Sequence, residues 1–138
     1  MRLSRTLPAI AKRAATAAVL ATISLGFVAP AVASNYAVIA YSPSTGRGYA
    51  IRDLSSRENA DAKAMEVCAQ AGATDCMEVV YTAKSKHCVA LVRSELSTTL
   101  WASASEISAG AATRKALIRL ATITPDRGQL VVRICNVF

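Results

Sequence analysis

Three observations predict an α+β domain made of two tandem strand-strand-helix-strand repeats, with about six short strands, two helices packed on them and two disulfides. A shift of 52 residues lays positions 36–81 over 88–133 without a gap, so one unit is used twice. In each copy, β-branched and aromatic runs flank an alanine-rich segment whose apolar residues recur at helical spacing. Two of the four cysteines lie inside the first copy and two bracket the second, as expected of a disulfide-held scaffold.

The chain opens with Arg2, Arg5, Lys12 and Arg13, an uncharged run over 14–28, Pro30 and then Ala31-Val32-Ala33. This is the pattern of a secretory signal peptide over 1–33, cut between Ala33 and Ser34, and it predicts a secreted protein, extracellular or in the cell envelope. A retained anchor is disfavoured, because the apolar run falls short of the roughly twenty residues a spanning helix needs. No cysteine or arginine pair lies in the leader, which speaks against a lipid anchor and a twin-arginine route. The four leader cations also account for most of the chain's formal charge of +7. Residues 34–138 keep 12 Lys and Arg against 9 Asp and Glu, an excess too small to signal nucleic acid.

Residues 36–41 read as a strand, Ser42-Pro43-Ser44-Thr45-Gly46 as a turn and 48–52 as a second strand. Ser55 and Glu58 are spaced as a capping box. A helix follows, with Ala60, Ala64, Met65, Cys68 and Ala71 on one face and Gly72 as its left-handed stop. Residues 76–82 resume the β pattern. In the second copy Tyr49 is matched by Trp101 and Met65 by Leu117, while Ser56, Ala60, Lys63, Ala64, Val79 and Val80 recur as Ser108, Ala112, Lys115, Ala116, Val131 and Val132. Ile107 and Gly110 stand where Ser55 and Glu58 stood, so the second helix is expected to fray at its first turn.

The second copy has Leu120 for Cys68 and Gly128 for Cys76. Both members are missing together, which points to a Cys68–Cys76 bond and, by remainder, a Cys88–Cys135 bond. The strands carrying Cys88 and Cys135 should then be antiparallel neighbours, and by symmetry the strand from Tyr36 should lie beside the end of the strand from Cys76.

The run Tyr36-Ala-Val-Ile-Ala-Tyr-Ser-Pro-Ser-Thr-Gly46, the helix ending in Cys68, Asp75-Cys76 before Val79-Val80, Cys88-Val-Ala-Leu and the terminal Cys135-Asn136 together resemble the secreted bacterial family called domain of unknown function 4189. The resemblance covers nearly all of 34–138. It implies export and a compact disulfide-held domain, some of whose relatives look like effectors that meet host components. Many members carry further cysteines in the second copy, from which this chain departs at Leu120 and Gly128. The resemblance supplies no catalytic residues.

Most catalytic constellations are poorly matched. His87, the single histidine, sits in the hinge Lys84-Ser85-Lys86-His87 without a convincing nucleophile or orienting acid, and no nucleophile elbow is present. The cysteines lack the close pairs of a zinc ribbon, so neither a metal nor a cofactor is expected. Gly46-Arg47-Gly48 lacks the remaining glycines and the strand-to-helix setting of a phosphate loop and reads as a turn. Asp75, Glu78 and the helix acids read as turn and surface carboxylates. Tyr36 and Tyr41 fall on opposite sides of their strand, so at least one is expected to be exposed; Tyr49 and Trp101 are expected in the core.

The function expected is a non-enzymatic binding or effector-like domain. Tyr41, Arg47, Lys84, Lys86 and His87 would meet a protein partner of the envelope or a host, with no nucleic acid and no stable membrane insertion. A small exported hydrolase using Asp75, Glu78 or His87 and a passive envelope component are the alternatives.

Overall fold

Positions 37–41 are apolar at every step, which a strand accommodates only when both of its faces are covered. A computed structural model describes residues 35–136; the leader over 1–33 and its cut after Ala33 lie outside the described residues. The elements run β1 (Tyr36–Ser42), β2 (Arg47–Leu54), α1 (Arg57–Gln70), β3 (Met77–Thr82), β4 (Cys88–Ser94), β5 (Trp101–Glu106), α2 (Ala109–Ala121) and β6 (Gly128–Cys135). Each copy folds into its own antiparallel sheet with its first strand central, in the orders β2-β1-β3 and β5-β4-β6. The sheets stack face to face, and each carries its own helix on the outside, giving four layers.

Strand alternation sorts the core. Ala37, Ile39 and Tyr41 meet Val89 and Leu91 between the sheets. Val38 and Ala40 face Ala60, Ala64 and Cys68 of α1, while Ala90 meets Ala112 and Val92 meets Ala116 and Leu120 of α2. Small residues on both sides of the α1 interface let helix and sheet approach closely. Ala71, expected on the apolar face of α1, is the helix C-cap and is exposed.

Both cysteine pairs join as the paired substitutions implied, Cys68 to Cys76 and Cys88 to Cys135. Cys88 lies directly opposite Cys135 in the β4–β6 ladder, and Ala37 opposite Thr82 in the β1–β3 ladder. Bonds between residues 8 and 47 apart stabilise by roughly 2.5 and 4 kcal/mol in the chain-entropy view. Those amounts are large for a domain of this size.

The helix starts depart from expectation. Ser56 caps α1, its hydroxyl accepting from Asn59 N at 3.2 Å, so the cap falls one residue after Ser55. Ser108 does the same for α2, accepting from Ala111 N at 3.2 Å. The second copy has therefore kept its cap, and the argument for fraying falls away.

The ungapped shift also conceals two compensating slips. The β4–β5 turn is one residue longer than the β1–β2 turn, and β2 carries an extra residue in a bulge where β5 has none. Between them the copies run out of step by one, so the structural counterpart of Trp101 is Gly48, not Tyr49. Tyr49 accordingly faces α1, whereas Trp101 faces the other sheet and meets Tyr41 edge-on at 6.0 Å. A second bulge is shared: Val79 in β3 and Val131 in β6 are both skipped by the ladder. The freed carbonyl of Val79 accepts from Ser103 Oγ at 2.9 Å across the sandwich.

Candidate functional site

The five residues expected to meet a partner separate into three environments. Tyr41 is fully buried in the inter-sheet core, and its hydroxyl donates to the Thr98 carbonyl at 2.6 Å. It is a packing residue and forms no part of an exposed surface, because β1 is covered on both faces. Burial raises its phenol pKa, a shift partly offset by Arg93. Arg47 lies at one end of β1, where Ser42 pairs with it, and the hinge lies beyond Thr82 at the other, where Ala37 pairs with Thr82. Five residues of strand, about 17 Å, separate those rungs. Arg47 and the hinge are therefore two surfaces, not one.

At the Arg47 end, Gly46, Gly48, Arg93, Gln129 and Val131 enclose a shallow cavity of about 340 Å³ with Arg47 on its rim. The backbone can come this close because Gly48 has no side chain; a Cβ there would stand 2.6 Å from Val132 Cγ1. Gly46 closes the turn at φ 67°. Beside it Asp75 gathers Ser42 Oγ (2.5 Å), Ser44 Oγ (2.7 Å) and Ser44 N (2.7 Å), and these bonds hold its carboxyl below the usual range. Asp75 is thus a turn clamp. Asp126 repeats it by accepting from Ser94 Oγ at 2.8 Å, again one residue out of step.

At the hinge end, Tyr81, Thr82, Lys84, His87, Glu106 and Lys115 line a groove of about 510 Å³. Its floor is held from several sides. The Cys88–Cys135 bond fixes the start of β4, Asn136 N donates to the His87 carbonyl at 2.9 Å, and buried Asn136 Nδ2 reaches the carbonyls of Asn35, Thr82 and Lys84. The turn closes through His87 N to the Lys84 carbonyl, with Lys86 at φ 57°, a left-handed conformation that L-residues other than glycine rarely hold. Lys84 and Lys86 project into solvent, and His87 is half-buried. Tyr81 is covered by the Arg57 guanidinium at 3.9 Å, and Arg57 also pairs with Glu78 at 3.0 Å.

Asp75, Glu78 and His87 are not brought together. Asp75 is engaged by the serines, Glu78 by Arg57, and His87 lies at the opposite end of the sheet from Asp75. Arg93 sits at the Arg47 end and donates to the Ser94 carbonyl and, with the Gln129 amide turned, to the Gln129 side-chain oxygen. Among the described residues no cluster of three or more His, Cys, Asp or Glu is placed to hold a metal ion.

A family model described as Domain of unknown function (DUF4189) matches residues 36–135. The chain belongs to the DUF4189 family. Comparisons with curated proteins and with solved structures find no match. The match to the DUF4189 model covers β1 through β6, both disulfides and every residue of the two grooves.

Lys115 and Glu106 were missed as groove residues, although the repeat carried a signal for them. In α1 the matching Lys63 pairs with Glu66 one turn on, at 2.8 Å. In α2 the position of Glu66 is Ile118. Lys115, deprived of that partner, turns to Glu106 at the end of β5 and lowers the Glu106 pKa.

Proposed function

We propose that the domain is an exported, non-enzymatic binding module that takes an acidic segment of a protein partner in the hinge groove. The observation that carries this reading is the convergence of Lys84, His87 and Lys115, with Lys86 beside them, around a cleft held by a disulfide and by Asn136. The backbone frame of such a site is already in place when an acidic chain arrives, which removes part of the entropic cost of association. Tyr81 offers an aromatic wall, and Glu106 would discriminate against carboxylates placed too deep. Export is supported by the leader pattern and by two disulfides, which persist in oxidising compartments. An effector-like role follows if the partner belongs to a host.

Selection of a random displayed peptide library on the immobilised, oxidised domain tests the reading. Acid-rich peptides should be enriched, and Lys84→Glu should weaken the selected peptides about tenfold or more, with a steep dependence on salt. Peptides with no acidic bias, or ones that bind Lys84→Glu equally well, would refute it. The mass of the protein recovered from outside producing cells checks export; a chain that starts at Ser34 and is four hydrogens light is expected.

A further inference from the structure

The two helices occupy matching places but present opposite outer surfaces. Helix α1 carries two cations and three acids, and its outward side is a closed polar network in which Lys63 and Gln70 both bond Glu66. Helix α2 carries Arg114, Lys115 and Arg119 and no acid at all. Position by position, Glu58, Asp61 and Glu66 have become Gly110, Thr113 and Ile118, while Ala62 and Val67 have become Arg114 and Arg119. Ile118 is 67% exposed, Ile107 just before the cap 72% and Ile123 just after the helix 54%. Ile118 lies one turn after Arg114 and beside Arg119, on the side of α2 away from the buried Ala112, Ala116 and Leu120. Ile107 precedes the extended cap Ser108 and Ile123 follows the C-cap Thr122, so these two flank the ends of the helix.

Ile118 exposes apolar surface on the outward side of α2, and every charged residue of that helix is a cation. We propose that this face of α2 docks the domain on an anionic lipid surface, with the isoleucines entering the interfacial layer and the cations level with the phosphates. Charge complementarity selects this occupant. A second copy seated on the same face across a twofold axis would bring the cations of α2 against those of its copy, and the helix carries no acid to pair with them, the nearby Glu106 being already engaged by Lys115. Docking is peripheral, because the opposite side of α2 is buried against β4 and β5 and no helix among the described residues is long and apolar enough to cross a membrane. Lys115 stays paired with Glu106, and Arg119 Nη1 donates to the Ser103 carbonyl at 2.6 Å, so both are anchored at the flank while exposed Arg114 stands on the ridge beside Ile118.

The test uses the chain from Ser34, since the four core clusters and both disulfides all form within residues 35–136. Cosedimentation with phosphatidylcholine vesicles containing phosphatidylglycerol is compared with cosedimentation on phosphatidylcholine alone. Binding is expected on the anionic vesicles only and should weaken as salt is added. Arg114→Gln should lower the partition coefficient about fivefold. Ile118→Glu, which restores the acid of α1, should abolish binding, and Lys63→Gln on α1 should leave it unchanged. Far-ultraviolet circular dichroism and thermal melts confirm that the variants fold. Equal binding to both vesicle types, none to either, or indifference to Ile118→Glu would overturn the proposal, as would a dimer in sedimentation equilibrium that Ile118→Glu dissolves. Lys84→Glu, which lies off α2, should leave vesicle binding unchanged while weakening the selected peptides, so failure of the peptide site and failure of the lipid face are read separately.

Discussion

Copy one ties its helix to its sheet with a covalent bond, and copy two holds the same junction by packing. In the first, Cys68 at the buried end of α1 bonds Cys76 just before β3. In the second, Leu120 takes the place of Cys68 and lies over Gly128; a Cβ on Gly128 would come within 2.8 Å of Leu120 Cδ2 and 2.6 Å of Leu117 Cδ2. The difference follows from what each helix buries. Helix α1 offers Ala60, Ala64 and Cys68, little apolar bulk, whereas α2 adds a fully buried leucine. A bond that constrains the unfolded chain and a leucine that fills a glycine's space are alternative answers to one geometric demand.

The largest effect expected from breaking this comparison lies outside the junction. Replacing Cys88 and Cys135 together by alanine should cost about 4 kcal/mol in urea unfolding, since that bond closes the longer loop. At the junction itself, Leu120→Ala should cost about 3 kcal/mol, close to the 2.5 kcal/mol or so expected for the double replacement of Cys68 and Cys76 by alanine. A Leu120→Ala cost below 1 kcal/mol would show that packing had not taken over from the bond. The smallest effect sharpens the likeness: Ser56→Ala and Ser108→Ala should each cost about 1 kcal/mol, and unequal losses would mean that one cap is nominal.

The features legible in the sequence were those the two copies share in kind. The β4–β6 pairing and by symmetry the β1–β3 pairing, the helix positions and the disulfide pairing follow from asking what the second copy kept and what it lost, whereas the division into two sheets does not. The features that escaped were one-residue displacements, because an ungapped alignment cancels them. The bulge in β2 and the longer β4–β5 turn leave the ends in step while moving Trp101 to the face opposite that of Tyr49. Tyr41 was misjudged for a different reason: alternation says which side of a strand a residue occupies, but not whether that side is wet. The unbroken apolar run 37–41 carried that information. At the hinge groove, Lys84 and His87 are near neighbours in the sequence, whereas Lys115 and Glu106 arrive from a helix and a strand that only the fold brings near.

Asn136 has a consequence for the order of the copies. Its side-chain amide donates to the Asn35 carbonyl at 2.8 Å, so the first and last described residues are neighbours. Each disulfide lies within one copy, and every strand pairing is internal to one sheet. Residues 35–136 therefore trace nearly a ring, open between 136 and 35 and closed at the hinge. Cutting the hinge and bridging residues 136 and 35 with a short linker would give a circular permutant of this segment with the same ladders, bonds and layers. Within residues 35–136 the ladders, bonds and layers do not depend on which copy comes first.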